Sequence, residues 1–485
     1  MPASNDTSPT AAIQPRQSHD PANPEALLRF MTERWAKPRR RGGKVKAAPS
    51  HAARRLALSG AFPGEALVIP TGHEKVRSND TTFRFRPGTD FFYLTGSHEP
   101  DGVLVLLPEG DGHRSVLFVE PNHGKTNATF FTDRQKGELW VGARRGVPES
   151  KAWFGVDEAR PLGDLHRTLG ELSGPFRALR GMSGAVDARL KPQSDRDTAF
   201  GQHLAEQRLL KDDVEVRELS SAIAATKRGF EDVIRRLSIA RSEREIEGVF
   251  GLRARWEGND VGYGTIAACG SHACVLHWTR NDGAVRAEDL MLLDAGVEGT
   301  SLYTADITRT LPIGGKFSPE QREVYDLVLK AQRAGFAEVK PGNDFLAPNR
   351  AAVRVLAYGL ERMGILRDAE DALKDEHQFY RRYTLHNISH MLGLDVHDCA
   401  RAREETYKFG KLAAGMVLTV EPGLYFQPDD LTVPVKYRGI GVRIEDDVLV
   451  TPSGYRNLSR GLPSETAAVE RWIARVWAEA ARPSV

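Results

Sequence analysis

Cysteine is scarce in this chain of 485 residues, which contains only Cys269, Cys274 and Cys399. Such an odd and sparse set cannot build a disulfide framework, and it is typical of proteins from a reducing compartment. We therefore expect Cys269 and Cys274 to be packing residues rather than metal ligands.

The chain also lacks an excess of one charge and long apolar runs. Lys and Arg number 67 against 65 Asp and Glu, a formal net charge of +2, so no global field favours nucleic acid or an anionic membrane. No run approaches the roughly 18 apolar residues of a membrane-spanning helix, and the amino terminus lacks the apolar segment of a secretory signal. We expect a cytoplasmic protein with a small partner, and neither nucleic acid nor a membrane.

The length of the chain exceeds what one hydrophobic core usually supports. We predict a poorly ordered extension over residues 1–51, an α/β domain over 52–211, a second domain over 212–463 and an amphipathic helix over 464–485. The extension is rich in Pro, Ser, Asn and Ala, with one helical candidate at 24–35. Its basic run at 37–41 is typical of a solvated tail.

Hydrophobic periodicity predicts the main elements. Short strands are expected at 66–70, 91–95, 102–107, 115–119, 417–420 and 441–451. Helices are expected at 162–173, 195–211, 213–257, 318–337, 349–364 and 464–480. In the helical stretch 213–257, Glu243 and Glu247 share one face, and apolar residues occupy another. A hairpin over 290–311 would place Asp294 and Asp306 on paired strands.

Five residues with metal-ligand chemistry each lie beside an apolar run and a Gly or Pro: Asp294, Asp306, His390, Glu421 and Glu445. Four carboxylates and one imidazole suit two divalent ions, because carboxylates can bridge the ions and offset their charge. Water held between two such ions becomes a nucleophile near neutral pH. The pattern therefore indicates a dinuclear metal site and hydrolytic chemistry.

Arg443 and Glu445 are two residues apart in a predicted strand, so they should point to the same face. An exposed pair on an edge strand is the alternative. The apolar continuation of the strand favours a buried pair, because a buried charge needs a partner or a metal. The same reasoning applies to Glu421, which directly follows the apolar strand 417–420.

Three histidines, His386, His390 and His397, lie in one short segment among small and apolar residues. Any one of them could be an ordinary core histidine, but three together favour a functional cluster. His277 is a fourth candidate, although it is a weak signal when it is considered alone.

Together these motifs resemble the pita-bread metallopeptidases and, within them, the aminopeptidase P subfamily. The resemblance runs from residue 52 to about residue 460. Its carboxy-terminal motifs are LDAG at 293–296, ADITRT at 305–310, SHMLGLDVHD at 389–398, TVEPGLY at 419–425 and YRGIGVRIEDD at 437–447. Its amino-terminal motifs are RSND at 77–80 and TDFFYLTG at 89–96. The resemblance implies an α/β (α+β) chain, with a creatinase-like amino-terminal domain followed by a pita-bread catalytic domain.

The resemblance also implies a metal arrangement. Asp306 and Glu445 would bridge two ions, Asp294 would bind one of them, and His390 with Glu421 would complete the other. The family's usual ion is Mn²⁺, which the oxygen-rich set favours, although Zn, Co and Fe are chemically acceptable.

The implied activity is release of the amino-terminal residue from peptides with proline second, through a hydroxide that bridges the two metals. Glu421 would shuttle a proton. The resemblance implies that His277, His386 and His397 line the substrate site. It also implies that Arg443 orients carboxylates or substrate and that Phe92 forms an aromatic wall for the pyrrolidine ring. It further implies a homo-oligomer, a dimer or a tetramer.

The chain departs from the family pattern at two positions. Asn387 stands where the family commonly has glycine, and Phe92 stands where a tryptophan is common. Neither position is a ligand, so we expect activity to be kept, and we expect the two changes to affect the preferred peptide length.

Three alternatives remain open. A prolidase has the same metal ligands but cleaves Xaa-Pro dipeptides. Non-catalytic pita-bread domains, including histone-binding ones, and creatinase-like chemistry work without metals. The presence of all five ligands disfavours the last two.

Overall fold

The computed structural model describes residues 23–36, 43–79 and 81–481. The chain divides into an amino-terminal unit, residues 1–204, and a carboxy-terminal unit, residues 205–485, whereas the predicted boundary lies after residue 211. The predicted domain limits remain a proposal. Most of the predicted disordered extension, the basic run at 37–41 and Asp80 of the RSND motif lie outside the described residues.

The amino-terminal unit begins with a short helix inside the predicted range 24–35. Its helices are α1 (Glu25–Thr32), α2 (Ala48–Ala61), α3 (Thr89–Thr95), α4 (Thr129–Thr132), α5 (Glu138–Val141), α6 (Gly146–Phe154), α7 (Leu165–Gly170), α8 (Gly184–Arg189) and α9 (Ser194–Gln207), which runs across the division. Its strands are β1 (Ala66–Pro70), β2 (Val76–Ser78), β3 (Thr81–Thr82), β4 (Val103–Glu109), β5 (Gly112–Val119), β6 (Glu158–Pro161) and β7 (Phe176–Ala178).

Five of these strands form a mixed sheet in the order β6-β5-β4-β1-β7. The central strands β1, β4 and β5 are antiparallel, and the outer pairs β1/β7 and β5/β6 are parallel. Strand β1 is buried along its whole length, which explains its continuous apolar sequence, because a strand covered on both faces does not alternate.

The segment predicted as a strand at 91–95 is helix α3 instead. Gly96 follows it at φ 70°, and its N–H donates to the carbonyl of Phe92, which is a common way for a helix to end. The aromatic run suggested a strand by propensity. All residues from Asp90 to Thr95 are buried in the helix, so packing on every side overrides that propensity.

The carboxy-terminal unit contains six helices and ten strands among its described residues. The helices are α10 (Asp213–Leu237), α11 (Glu243–Glu257), α12 (Pro319–Glu338), α13 (Ala347–Arg362), α14 (Ala369–Leu373) and α15 (Thr466–Ala480). The strands are β8 (Asp260–Val261), β9 (Ile266–Cys269), β10 (Leu290–Ala295), β11 (Val297–Glu298), β12 (Ile307–Pro312), β13 (Val417–Val420), β14 (Gly423–Tyr425), β15 (Gly441–Arg443), β16 (Asp446–Thr451) and β17 (Gly454–Asn457).

The predicted helical stretch 213–257 is two helices. Ser242 caps α11, with its side chain accepting from the backbone N–H of Glu245, and a capping serine marks a new helix start. Glu243 and Glu247 both lie in α11, four residues apart, and the side chain of Glu243 is completely buried.

The strands that carry the candidate ligands belong to small antiparallel sheets. Strand β10 pairs with β12 so that Asp294 lies opposite Thr308, and Asp306 directly precedes β12. The predicted strand 441–451 is interrupted. Its halves β15 and β16 belong to different sheets, so strand alternation does not extend from Arg443 to Glu445.

Helices and strands both contribute to the main hydrophobic core of this unit. In α15 the residues Val469, Trp472, Ile473 and Val476 are buried, so the predicted amphipathic stripe is a packing face. No helix among the described residues is long and apolar enough to cross a membrane. The mixture of helices and strands confirms the predicted α/β class.

Candidate active site

A cavity of about 660 Å³ in the carboxy-terminal unit brings most of the predicted site residues together. Its lining includes the predicted ligands and the predicted catalytic residues: His277, Asp294, Asp306, His386, His390, His397, Glu421, Arg443 and Glu445. Asn387, one of the two departures from the family pattern, also lines it. Several short strands end at this cavity, which is why residues distant in sequence converge here.

Asp306, His390 and Glu445 form the tightest group. Each offers one ligand atom, and these atoms all lie within 4.8 Å of one another. The Nε2 of His390 lies 3.3 Å from Oδ2 of Asp306 and 3.4 Å from Oε1 of Glu421. A single imidazole nitrogen therefore faces two carboxylates across the cavity.

Glu445 occupies the break between β15 and β16, and neighbouring polar groups hold that break in place. The hydroxyl of Thr308 donates to Oε2 of Glu445 over 2.6 Å. The fully buried Arg309 donates to the carbonyl of Glu445 over 2.6 Å and to Asp446 over 2.7 Å. The position of this carboxylate is thus set by hydrogen bonds rather than by a continuous strand.

Asp294 is held from both sides. The hydroxyl of Tyr263 donates to its Oδ1 over 2.7 Å, and Nη2 of Arg443 donates to its Oδ2 over 2.5 Å. Arg443 also donates through Nη1 to the hydroxyl of Tyr425 over 2.9 Å. Because Arg443 and Glu445 are both buried, an exposed pair on an edge strand is excluded.

The electrostatics of the cavity is that of crowded, buried carboxylates. Burial raises the pKa of Asp306, of Glu421 and of Glu445, and the negative charges of the neighbouring carboxylates raise it further. Burial opposes protonation of His390, but the hydrogen bond to Asp306 and the charge of Glu421 raise its pKa to about 9. The protein has therefore collected negative charge where a cation would relieve the repulsion.

The other histidines surround this group. His386 places Nε2 2.8 Å from the hydroxyl of Tyr425, and burial with the charge of Arg443 lowers its pKa to about 4. The ring of His397 lies 4.4 Å from that of His390, nearly perpendicular to it. Burial and the charge of His390 lower the pKa of His397.

Sequence reasoning missed several residues that hold the site. Thr308 belongs to the ADITRT motif, two positions after Asp306. Tyr425 was visible in the TVEPGLY motif. Tyr263 stands between two glycines, and no spacing rule connects it with Asp294.

Phe92 belongs to the amino-terminal unit and is not among the residues lining this cavity. Its side chain is 5% exposed, and its ring packs edge-on against His98 at 4.9 Å. The role of Phe92 as an apolar wall for the substrate therefore stays a prediction.

Comparisons with known proteins cover both units. Residues 217–452 match the family model described as Metallopeptidase family M24, and residues 51–176 match that of the aminopeptidase P N-terminal domain. Xaa-Pro aminopeptidase 1 of Streptomyces coelicolor is 52% identical over 434 residues, which are 89% of this chain and 88% of that protein. Xaa-Pro aminopeptidase 2 of the same organism is 49% identical over 458 residues, 93% of this chain and 96% of that protein.

Solved structures give the same result. The structure of Pseudomonas aeruginosa aminopeptidase PepP is similar with a TM-score of 0.79 and 34% identity, covering 90% of this chain and 99% of that one. Escherichia coli aminopeptidase P with the inhibitor Pro-Leu is similar with a TM-score of 0.78 and 31% identity, again over 90% and 99%.

Proposed function

The chain belongs to metallopeptidase family M24, with the aminopeptidase P type of amino-terminal domain and a pita-bread catalytic domain, and we propose that its cavity performs proline-specific aminopeptidase chemistry with two metal ions. It is a metal-dependent Xaa-Pro aminopeptidase, a hydrolase that releases the amino-terminal residue of peptides with proline second. The observation that carries the metal site is the convergence of Asp306, His390 and Glu445.

The residues present fit divalent cations. Carboxylate oxygens and one imidazole are ligands that Mn²⁺ and similar ions accept, and burial has raised the pKa of three of these carboxylates. Bound cations would offset the repulsion among these buried carboxylates. We propose that Asp306 and Glu445 are shared between two ions, that Asp294 serves one of them, and that His390 and Glu421 serve the other.

When bound, the two ions supply a water nucleophile at neutral pH and Lewis acidity towards the scissile carbonyl. The side chains of the chain do the rest. Glu421 lies 3.6 Å from His386 at its Oε2, so it is placed to carry a proton between the attacking water and the neighbouring histidines. We propose that His277 and His397, both exposed in the cavity, donate hydrogen bonds to the substrate carbonyl and the leaving nitrogen.

Arg443 has an orienting role in this proposal. Its guanidinium joins the carboxylate of Asp294 to the hydroxyl of Tyr425, and the planar fork of arginine fixes both directions at once. The oxygens of Asp294 are thereby aimed, and the hydroxyl of Tyr425 is presented to His386.

The cavity also contains apolar surface suited to a proline ring. Ile266, Leu276 and Val396 line it beside the acidic group. A pocket that accepts a ring and does not rely on the missing amide N–H of proline admits proline where a general peptidase rejects it.

The finer details rest on the resemblance and on donor chemistry. We propose Mn²⁺ as the working ion because the donor set is rich in oxygen, and a homo-oligomer, dimer or tetramer, as the working form. The three free cysteines fit a reducing compartment such as the cytoplasm. Metal analysis of protein purified without added ions and light scattering after gel filtration test the first two points.

Removal and return of metal tests the function itself. Protein stripped with chelator should not release the first residue of an Xaa-Pro-Xaa tripeptide, and added Mn²⁺ should restore release. Xaa-Pro dipeptides, assayed beside it, should be poor substrates. Preference for the dipeptide would instead assign a prolidase, and activity that is unaffected by chelation would remove the metal mechanism.

A further inference from the structure

Glu243 is a completely buried carboxylate that does not line the catalytic cavity. It is the first residue of α11, and four groups surround its two oxygens. Oε1 accepts from the backbone N–H of Cys269 over 2.7 Å and lies 2.9 Å from Nδ1 of His272. Oε2 accepts from the backbone N–H of Gly283 over 2.7 Å and from the indole of Trp278 over 2.8 Å.

These partners belong to one segment of chain. Cys269 ends β9, and residues 270–283, which we name the His277 loop, follow it. Glu243 therefore bonds the residue before the loop, its last residue and the side chain directly after His277. His277 is exposed and lines the cavity with its neighbours Leu276 and Thr279, so its position depends on the path of this loop.

The loop has little freedom around the carboxylate. A Cβ added at Gly283 would lie 2.8 Å from Cδ of Glu243 and 2.6 Å from Nδ1 of His272. The ring of Trp278 stacks on His272 with centroids 3.9 Å apart. The backbone at Gly283 thus lies closer to the carboxylate and to His272 than a residue with a side chain would allow.

A second anchor fixes the same loop to β9. Asn281 is buried at φ 47°, and its side chain accepts from the N–H of Ala267 over 3.0 Å and donates to the carbonyl of Thr265 over 2.9 Å. Asn281 thus fixes the carboxy-terminal part of the loop, whereas the indole of Trp278 is bonded to Glu243. Loss of Glu243 therefore frees the stretch around Trp278 and His277.

We infer that Glu243 is a positioning residue that holds the His277 loop so that His277 faces the substrate in the catalytic cavity. The inference rests on the proposed function, because the reaction is where a displaced His277 has its effect. Glu243 touches no reacting group and acts only through the loop.

Glu243→Gln is the most informative variant because it keeps the shape of the side chain and replaces one of its two acceptor oxygens by an NH₂ donor. The indole and the two backbone N–H groups can only donate, and the amide nitrogen of glutamine also donates. We expect kcat for an Xaa-Pro-Xaa peptide to fall about tenfold or more, since small misplacements of catalytic groups are costly. Metal content should stay unchanged. The matched control is Glu245→Gln, on the same helical turn. Its partly exposed carboxylate bonds Arg236 and the backbone N–H of Arg241 rather than the loop, so this variant should retain the wild-type kcat.

A double-mutant cycle separates positioning from a general structural effect. If Glu243 acts through His277, Glu243→Gln should slow the His277→Ala variant by less than about twofold. An equal loss in both backgrounds, or full activity of Glu243→Gln, would overturn the inference. Should Glu243→Gln fail to fold, the cycle is repeated with Trp278→Phe, which keeps the ring and removes one donor.

A readout without turnover keeps this test distinct from the proposed function. The indole N–H resonance of Trp278, identified by its absence in Trp278→Phe, should shift and exchange faster with solvent in Glu243→Gln, in protein with or without metal. An unchanged resonance would overturn the loop anchor. If the wild type fails to cleave the peptide, the proposed function fails, and the indole signal still decides whether Glu243 holds the loop.

Discussion

The Nη2 of Arg443 lies 2.5 Å from Oδ2 of Asp294, and both side chains are buried. One proposed metal ligand therefore carries its own counter-charge within the protein. The same guanidinium reaches the hydroxyl of Tyr425, which lies beside His386. Arg443 and Tyr425 consequently join Asp294, a proposed metal ligand, to His386, a proposed substrate-binding residue.

Arg443→Lys tests this link. Lysine keeps the positive charge but offers a point donor in place of a fork, so it cannot serve Asp294 and Tyr425 in the same geometry. We expect kcat for an Xaa-Pro-Xaa peptide to fall by about 10²-fold, the scale of a misplaced catalytic group, with the metal content unchanged in elemental analysis. A wild-type kcat would show that the two-sided bonding of the guanidinium is not needed for catalysis. Loss of metal would show instead that Arg443 is needed for metal binding.

Glu445→Ala removes the carboxylate that the proposal shares between two ions. Turnover should be abolished and the metal content per chain should fall, because the remaining ligands offset the ionic charge less well. Thr308→Val is the control, since it keeps Glu445 and removes the hydroxyl that donates to Glu445 over 2.6 Å and accepts from Nε of Arg443 over 3.3 Å. It should retain metal and lose less activity. An active Glu445→Ala protein with full metal would refute the ligand assignment.

His397→Ala should behave differently from a ligand variant. Its ring lies beside His390 but outside the tight ligand group, so metal content should be preserved. We expect kcat to fall by about 10² to 10⁴-fold, the usual range for loss of proton transfer or hydrogen bonding to reacting groups. Metal loss on this substitution would place His397 among the ligands.

Some of this arrangement could be predicted from the sequence and some could not. Strand β1 and the buried stripe of α15 follow from local apolar patterns. Helix α3 was predicted as a strand because its aromatic residues favour strands, and only burial on all sides reverses that preference. Glu445 was placed by strand alternation, whereas hydrogen bonds from Thr308 and Arg309 define its position in a break.

Glu243 shows a different limit of sequence reasoning. A glutamate in the first turn of a helix is usually solvated, and its four partners come from a segment more than twenty residues away, from Cys269 to Gly283. Helical spacing reports which residues share a face, but it does not report which chain packs against that face.

The residue after His397 supports a prediction about stability. Asp398 is buried and is bonded by Lys211 and by Arg208, each over 3.0 Å. Although burial opposes ionisation, these two charges hold the pKa of Asp398 at about 2. Lys211→Met leaves a buried carboxylate short of a partner, so the free energy of unfolding at pH 7 should fall by about 3 to 5 kcal/mol.

The pH dependence has a defined sign. A carboxyl whose pKa is depressed in the folded state stabilises the protein above its ordinary value of 3.8 and loses that contribution as pH falls towards about 2. The difference in unfolding free energy between wild type and Lys211→Met should therefore narrow over that interval, measured by denaturant titration of metal-free protein. A difference that is constant or widens on acidification would contradict the assigned pairing.

Substrate selection is the most direct test of the account. We predict that the Mn²⁺-loaded protein releases the first residue of an Xaa-Pro-Xaa peptide with a kcat/KM well above that for the matching Xaa-Ala-Xaa peptide. A methylene-sized difference in pocket contact is worth about 1 to 3 kcal/mol, so a preference beyond roughly 200-fold would mean that the backbone geometry of proline is also recognised. Equal kcat/KM values, or a preference for alanine, would contradict proline-specific aminopeptidase chemistry in this cavity.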